Sequence, residues 1–175
     1  PNLIPVKVDG ATKEFDLFGG RVGFLTFSVE EESPAAAALE SKVMCLSRAT
    51  VGSPVALSQV LLLEAMEDEG IEAEIERVRA ELRRRYRALR AALDGVDHSL
   101  LRPLPFNSGC FALVEIGESV GADADAVRHH LLEHHDTGLI AIGERFLRIA
   151  FCSVEESALP ELVDRLERGV RELAN

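Results

Sequence analysis

The stretch TKEFDLFGGRVGF, Thr12 to Phe24, decides how the rest of the chain is read. It places Lys13 eight residues before Arg21 and sets Gly19, Gly20 and Gly23 around the arginine. Phe15, Leu17 and Phe18 are expected to bury the loop. A lysine among apolar groups loses ammonium solvation, so its amine is expected to reach the neutral, nucleophilic form that a Schiff base needs. The Arg21 guanidinium offers a fork for a phosphate dianion. The glycines let backbone come close, and Thr12 adds a hydroxyl. An amine for an aldehyde and a fork for a phosphate, at fixed separation, fit a site for pyridoxal phosphate; the other reading of Lys13, from these residues alone, is an ordinary solvated lysine.

Working outward, the runs IPVKV and RVGFLTFS on either side of this loop are β-branched and aromatic and predict buried strands. Downstream, EEESPAAAALESKVMCLSRA predicts a helix capped by Ser33 with Pro34 at its first position. VALSQVLLLEAM is apolar nearly all round and predicts a helix buried in a large body or an interface. The stripe Ile71, Ile75, Val78, Leu82, Tyr86, Leu89, Leu93 and Val96 then advances by three or four residues each time. It predicts a helix of about 26 residues, roughly 39 Å long, with Gly95 as terminator. After RPLPFNSG, to which no element is assigned, come a strand (CFALVEI), a helix (DADAVRHHLLEHH), two strands (GLIAI and RFLRIAF) and a closing amphipathic helix. The order is that of a small α+β or α/β layer.

The 175 residues suffice for one domain or one and a half. A formal net charge of −11 opposes nucleic acid and anionic membranes as partners. The one basic run, Arg83-Arg84-Arg85, is read as a solvated helix face. Cys45, Cys110 and Cys152 are odd in number and lie among apolar residues. They are read as inert core thiols in a reducing, cytoplasmic compartment. No apolar run reaches the ~18 residues of a membrane span, and no signal-peptide pattern opens the chain. The first residues, PNLIPVKV, already read as structured without an initiator methionine, so the start is expected not to be native. His130 and His134 stand at i and i+4, one metal-binding geometry on a helix. No cysteine or acid is expected to converge on them, so they are read as a polar helix face and no metal is assigned.

The segment carried by Thr12, Lys13, Gly19, Arg21 and Gly23 resembles the lysine segment of class I/II aminotransferases. There a Ser/Thr-Lys pair is followed, eight residues after the lysine, by arginine within Gly-x-Arg-x-Gly. The resemblance implies that Lys13 forms the Schiff base with pyridoxal 5'-phosphate and then shuttles the α-proton, while Arg21 and Thr12 bind the phosphate. Gly10 stands where many members have a phosphate-binding serine. LSRATVGSPVALSQ is similar to the family's arginine, turn and proline, which brings Ser53 toward the cofactor phosphate of the other subunit of a homodimer. Arg48 there is either a contact to a distal substrate carboxylate across the dimer or a structural residue. PFNSGCFALVEI is similar to the first small-domain strand and makes Asn107 a substrate-binding candidate. FLRIAFCSV resembles the last strand and makes Arg148 the clamp for the substrate α-carboxylate, with an arginine paired to a protein acid as the other reading.

The resemblance covers essentially the whole chain but only the C-terminal part of the family's length. The chain is therefore expected to be a fragment: residues 1–75 a remnant of the large cofactor-binding domain, 76–175 the small domain entered by the long helix. The portion outside it is expected to carry the aspartate that pairs with the pyridine nitrogen. The parent reaction implied moves an amino group between an amino acid and a 2-oxo acid. The fragment alone is expected to show little transamination and to self-associate through exposed apolar surface. The same scaffold also supports lyases and acyltransferases. A non-catalytic effector module of a transcription regulator is a further alternative.

Overall fold

In the computed structural model, which describes residues 3–174, Val6–Gly10 (β1) pairs antiparallel with Gly23–Phe27 (β2), from Val6 opposite Phe27 to Gly10 opposite Gly23. Pro1 and Asn2, the first residues of the stretch PNLIPVKV read as structured, lie outside the described residues, as does Asn175. The chain divides into two compact units, Pro1–Arg77 and Val78–Asn175. In the first, the β1–β2 connection holds a four-residue helix, Ala11–Glu14 (α1), and a 3₁₀ turn, Phe18–Gly20. Two helices follow, Pro34–Thr50 (α2) and Ala56–Glu67 (α3). Ser33 caps α2 by accepting a hydrogen bond from the Ala36 N–H at 3.1 Å, and Pro34 occupies its first turn, as the sequence predicts.

The first unit corrects three expectations of burial. β1 and β2 are not buried: Val8 is 74% exposed, and Val6, Phe24 and Leu25 are exposed as well. A lone two-stranded ribbon has two faces and two edges, and among the described residues no third strand joins it. The apolar α3 buries only Leu62, while Leu57, Leu61 and Leu63 stay exposed. A helix apolar all round needs protein on every side, and the chain supplies little of it. Likewise Cys45 is exposed, because α2 buries none of its residues; Cys110 and Cys152 are half-buried. Among the described residues none of the three is in a disulfide, and none is a fully buried core residue.

The second unit has its own core. Helix Ile71–Leu93 (α4) enters it, half-buried along the predicted stripe as far as Tyr86 and fully buried at Leu89 and Leu93. It ends short of the predicted length, unwinding through tight turns at Gly95 and Val96. Leu101–Pro103 (β3), Ala112–Ile116 (β4), Ile140–Ile142 (β5) and Phe146–Ile149 (β6) form an antiparallel sheet ordered β3-β4-β6-β5. β3 occupies a stretch to which no element is assigned from the sequence. Proline marks turns, yet at a sheet edge the missing N–H of Pro103 costs no ladder bond. Helices Ala124–His135 (α5) and Leu159–Glu172 (α6) complete the unit.

One face of this sheet, Ala112, Val114, Ile116, Leu147 and Ile149, is buried in a core with Val127, Leu131, Leu166 and Val170 of the two helices. Phe151 is fully buried beside Phe106, whose ring meets Tyr86 edge-on at 5.2 Å between centroids. The loop before β3 crosses Gly117 so closely that a Cβ at 117 would lie 1.8 Å from the Ser99 carbonyl oxygen. The basic run is not uniformly solvated: Arg85 is largely buried, donating to the Cys152 carbonyl and to Glu81, while Arg84 pairs with Glu156 at 3.3 Å. The cause is the sheet-to-helix connection around Cys152 and Glu156, which lies against this face of α4. Among the described residues no helix is long and apolar enough to cross a membrane.

Candidate functional site

The ribbon explains why Lys13 and Arg21 belong together. Pairing runs to Gly10 opposite Gly23 and continues through the Ala11 N–H, which donates to the Val22 carbonyl at 3.1 Å. The connection that carries Thr12, Lys13 and Arg21 therefore sits on one end of β1/β2. Arg21 takes the left-handed conformation (φ 52°). Its guanidinium donates to the Phe18 carbonyl at 3.3 Å and lies 5.8 Å from the centre of the Phe18 ring. Gly20 is buried, and a Cβ there would meet the Leu17 side chain at 2.6 Å, so a larger residue would force Leu17 to move. No carboxylate pairs with Arg21 among the described residues, which leaves its fork for an anion. Lys13 is exposed, since Phe18 turns to solvent and Phe15 and Leu17 are only half-buried. The enclosure expected of those three residues is not formed by this segment.

Arg48 and Ser53 meet in a separate hollow of the same unit. It is a cavity of about 600 Å³ at the C-terminal end of α2, lined also by Cys45, Gly52 and Pro54. Gly52, at φ 78°, turns the chain there. Thr12, Lys13 and Arg21 do not line it.

In the second unit, Arg148 lies on β6 opposite Leu113 of β4, on the sheet face away from the core. Its guanidinium stacks on the Phe111 ring at 4.5 Å from the centroid. Its Nε is buried without a hydrogen-bond partner. Among the described residues no acid pairs with it, so the reading of a structural ion pair finds no partner here. Phe111 was missed from the sequence. The signal was present: Phe111 stands two residues before Leu113, on the same strand face and diagonal to its partner Arg148. Asn107 lines a cavity of about 540 Å³ with Arg90, His98, Leu104 and Phe106, and its side-chain oxygen accepts from Ser108 Oγ at 3.2 Å. Arg148 is not on that cavity's lining.

The histidine reading is corrected. An acid does converge on α5, from the other helix: Nε2 of His130 and of His135 each donate to the same oxygen of Glu172, at 2.8 and 3.0 Å. The second histidine is His135, not His134, because α5 ends there and its last turn faces α6. These bonds, that of His135 first, hold the Glu172 carboxyl below the ordinary glutamate value.

The family model for class I and II aminotransferases matches residues 5–166. The chain belongs to that family. Among solved structures, this aminotransferase chain is similar to an α-aminoadipate aminotransferase from Thermus thermophilus, crystallised with N-(5'-phosphopyridoxyl)-L-leucine. The identity is 25%, with a TM-score of 0.74, over 96% of this chain and 42% of that one. It also resembles in fold an aromatic aminotransferase from Pyrococcus horikoshii (19% identity, TM-score 0.73, 95% of this chain and 43% of that one). A multiple-substrate aminotransferase from Thermococcus profundus is a further fold relative (16%, 0.75, 95% and 40%). The aminotransferase chain thus spans about two fifths of the length of these structures. No curated protein sequence matches it.

Proposed function

We propose that the chain is the lysine-bearing and carboxylate-binding part of a pyridoxal-phosphate-dependent aminotransferase that moves an amino group between an amino acid and a 2-oxo acid. The bound cofactor supplies the electron sink for chemistry at the substrate α-carbon. Lys13 holds the cofactor aldehyde covalently through Nζ and then carries the α-proton on that same nitrogen. Arg21, with the Thr12 hydroxyl, binds the phosphate. Ser53 serves the phosphate of the partner subunit in a homodimer. Arg148 grips the substrate α-carboxylate, Asn107 contacts substrate, and Arg48 approaches its distal end. Cysteines outside any disulfide accord with a reducing, cytoplasmic setting.

The observation that carries this reading is the hairpin connection: in a chain of this family it returns an arginine without an acid partner to the ribbon end that bears Lys13. The buried Nε of Arg148, without a hydrogen-bond partner on the sheet face away from the core, supports the second half, since a substrate carboxylate is one partner that would satisfy it. The test is to mix the protein with pyridoxal phosphate, reduce with borohydride and map the modified peptide. The label is expected on Lys13, with the visible band lost in Lys13→Ala. Labelling spread over Lys7, Lys13 and Lys42 alike would contradict the assignment.

A further inference from the structure

The cluster of His130, His135 and Glu172 is unused by the reading above and owes nothing to it. Two imidazole Nε2 atoms and one carboxylate oxygen lie within 4.8 Å of one another, drawn from two helices and 42 residues apart in sequence for the His130–Glu172 pair. Three features build this arrangement. Gly169 on α6 has no side chain where a Cβ would meet Leu131 at 2.6 Å and the His135 ring at 3.0 Å, so the helices approach closely just at the imidazole. The His135 carbonyl accepts from the buried Thr137 hydroxyl at 2.8 Å and from Arg165 at 3.1 Å, which fixes the last residue of α5. Asp136 then leaves the helix in the left-handed conformation, ending α5 there. The side chains of His130 and His135 are only 20% and 11% exposed, so both rings are largely withdrawn from water.

We propose that His130, His135 and Glu172 form a three-ligand site for a divalent late transition-metal ion, with Zn²⁺ the chemically matched probe. Two imidazoles and a carboxylate suit such an ion, whereas magnesium and calcium take oxygen ligands. Metal–ligand bonds of about 2.0–2.1 Å put tetrahedral ligand atoms roughly 3.3 Å apart. The observed 2.8 and 3.0 Å separations from the Glu172 oxygen need a few tenths of an ångström of opening, and the two imidazole nitrogens, within 4.8 Å of one another, close toward the ion by rotation of their rings. Both ring nitrogens face the same Glu172 oxygen; to ligate through Nε2 each neutral imidazole shifts its proton to Nδ1, and a protonated one releases a proton to solvent. The fourth position falls to water or to His134, whose ring centroid is 4.7 Å from that of His130. The ion ties the end of α5 to the last turn of α6.

The test is calorimetric titration of Zn²⁺ into the 175-residue chain in chelator-free buffer, with Co²⁺ as a spectroscopic reporter. One equivalent is expected to bind and raise the melting temperature. His130→Ala and His135→Ala are each expected to weaken binding by at least about tenfold, the loss typical even of an outer partner. His98→Ala should leave it unchanged. Glu172→Gln keeps an acceptor for the ring N–H groups; read against its own metal-free melt, so that the lost charge-assisted bonds are already counted, it should show a much smaller Zn²⁺-induced rise in melting temperature than the parent and weaker Zn²⁺ binding. The proposal is overturned by the absence of saturable one-to-one binding, or by Glu172→Gln binding as tightly as the parent. A thiolate-to-cobalt charge-transfer band, which would assign the ion to cysteine, overturns it too.

Discussion

Arg148 holds a charged head group against Phe111 and leaves a buried N–H with no acceptor. Such a group costs stability in the absence of a ligand, on the order of 1–3 kcal/mol. Arg148→Met, similar in length and apolar, is therefore expected to unfold in urea at or above the concentration that unfolds the parent. A loss greater than about 1 kcal/mol would make Arg148 a structural residue instead, since surface changes away from key contacts stay within about 0.5 kcal/mol. If the proposed function holds, the same substitution in an active form of the protein is expected to raise KM for amino acids more than it lowers kcat, the pattern of a lost binding contact. The lysine–arginine spacing was legible in the sequence because both residues sit on one hairpin connection. The exposure of Lys13 was not, because what covers a loop depends on surfaces that a local stretch does not encode.

At the scale of elements, the turn after α4 is built on Asp97, whose carboxylate accepts from the Ser99 hydroxyl at 2.6 Å and the Ser99 N–H at 2.9 Å. These bonds, the hydroxyl's first, hold its carboxyl below the ordinary aspartate value. A depressed folded value means stabilisation that is complete above the unfolded pKa and lost as pH falls through the folded one. The difference in urea midpoint between the parent and Asp97→Asn should therefore be largest near neutrality and shrink with acidification. A difference that does not change with pH would contradict this. Elements with local signals were legible: Ser33 and Pro34 announce α2, and the three-to-four spacing announces α4. β3 was not, because Pro103 reads as a loop unless its place at a sheet edge is known. Glu172 was not linked to the histidines because only the packing of α5 on α6 brings them together.

For the molecule as a whole, the two units differ in what they bury. Val78–Asn175 encloses a continuous core through Leu89, Val114, Leu147, Phe151 and Leu166, whereas the unit ending at Arg77 leaves Val8, Leu57, Val60 and Leu63 in water. Apolar surface of that kind is normally covered by more protein. Sedimentation velocity of the chain is expected to show association that grows with concentration, and assays with amino acid and 2-oxo acid pairs little turnover. A single ideal monomer across the range, or brisk transamination, would count against the expectation that further parts of the enzyme complete this half. The overall class, strands and helices of an aminotransferase part, was legible from the order of elements and one motif. The degree of exposure was not, because hydrophobic patterning tells which face seeks cover and not whether the cover is present.

The passage of the Ser99 carbonyl over Gly117 has a consequence for how this family's sequences can drift. With room for a hydrogen and nothing larger, the contact involves main chain on both sides, so no rotamer of a neighbour can yield. A library randomised at codon 117 and sorted for soluble expression should return glycine almost alone, while Gly138, which has no atom within 4 Å of a notional Cβ, should accept alanine and serine freely.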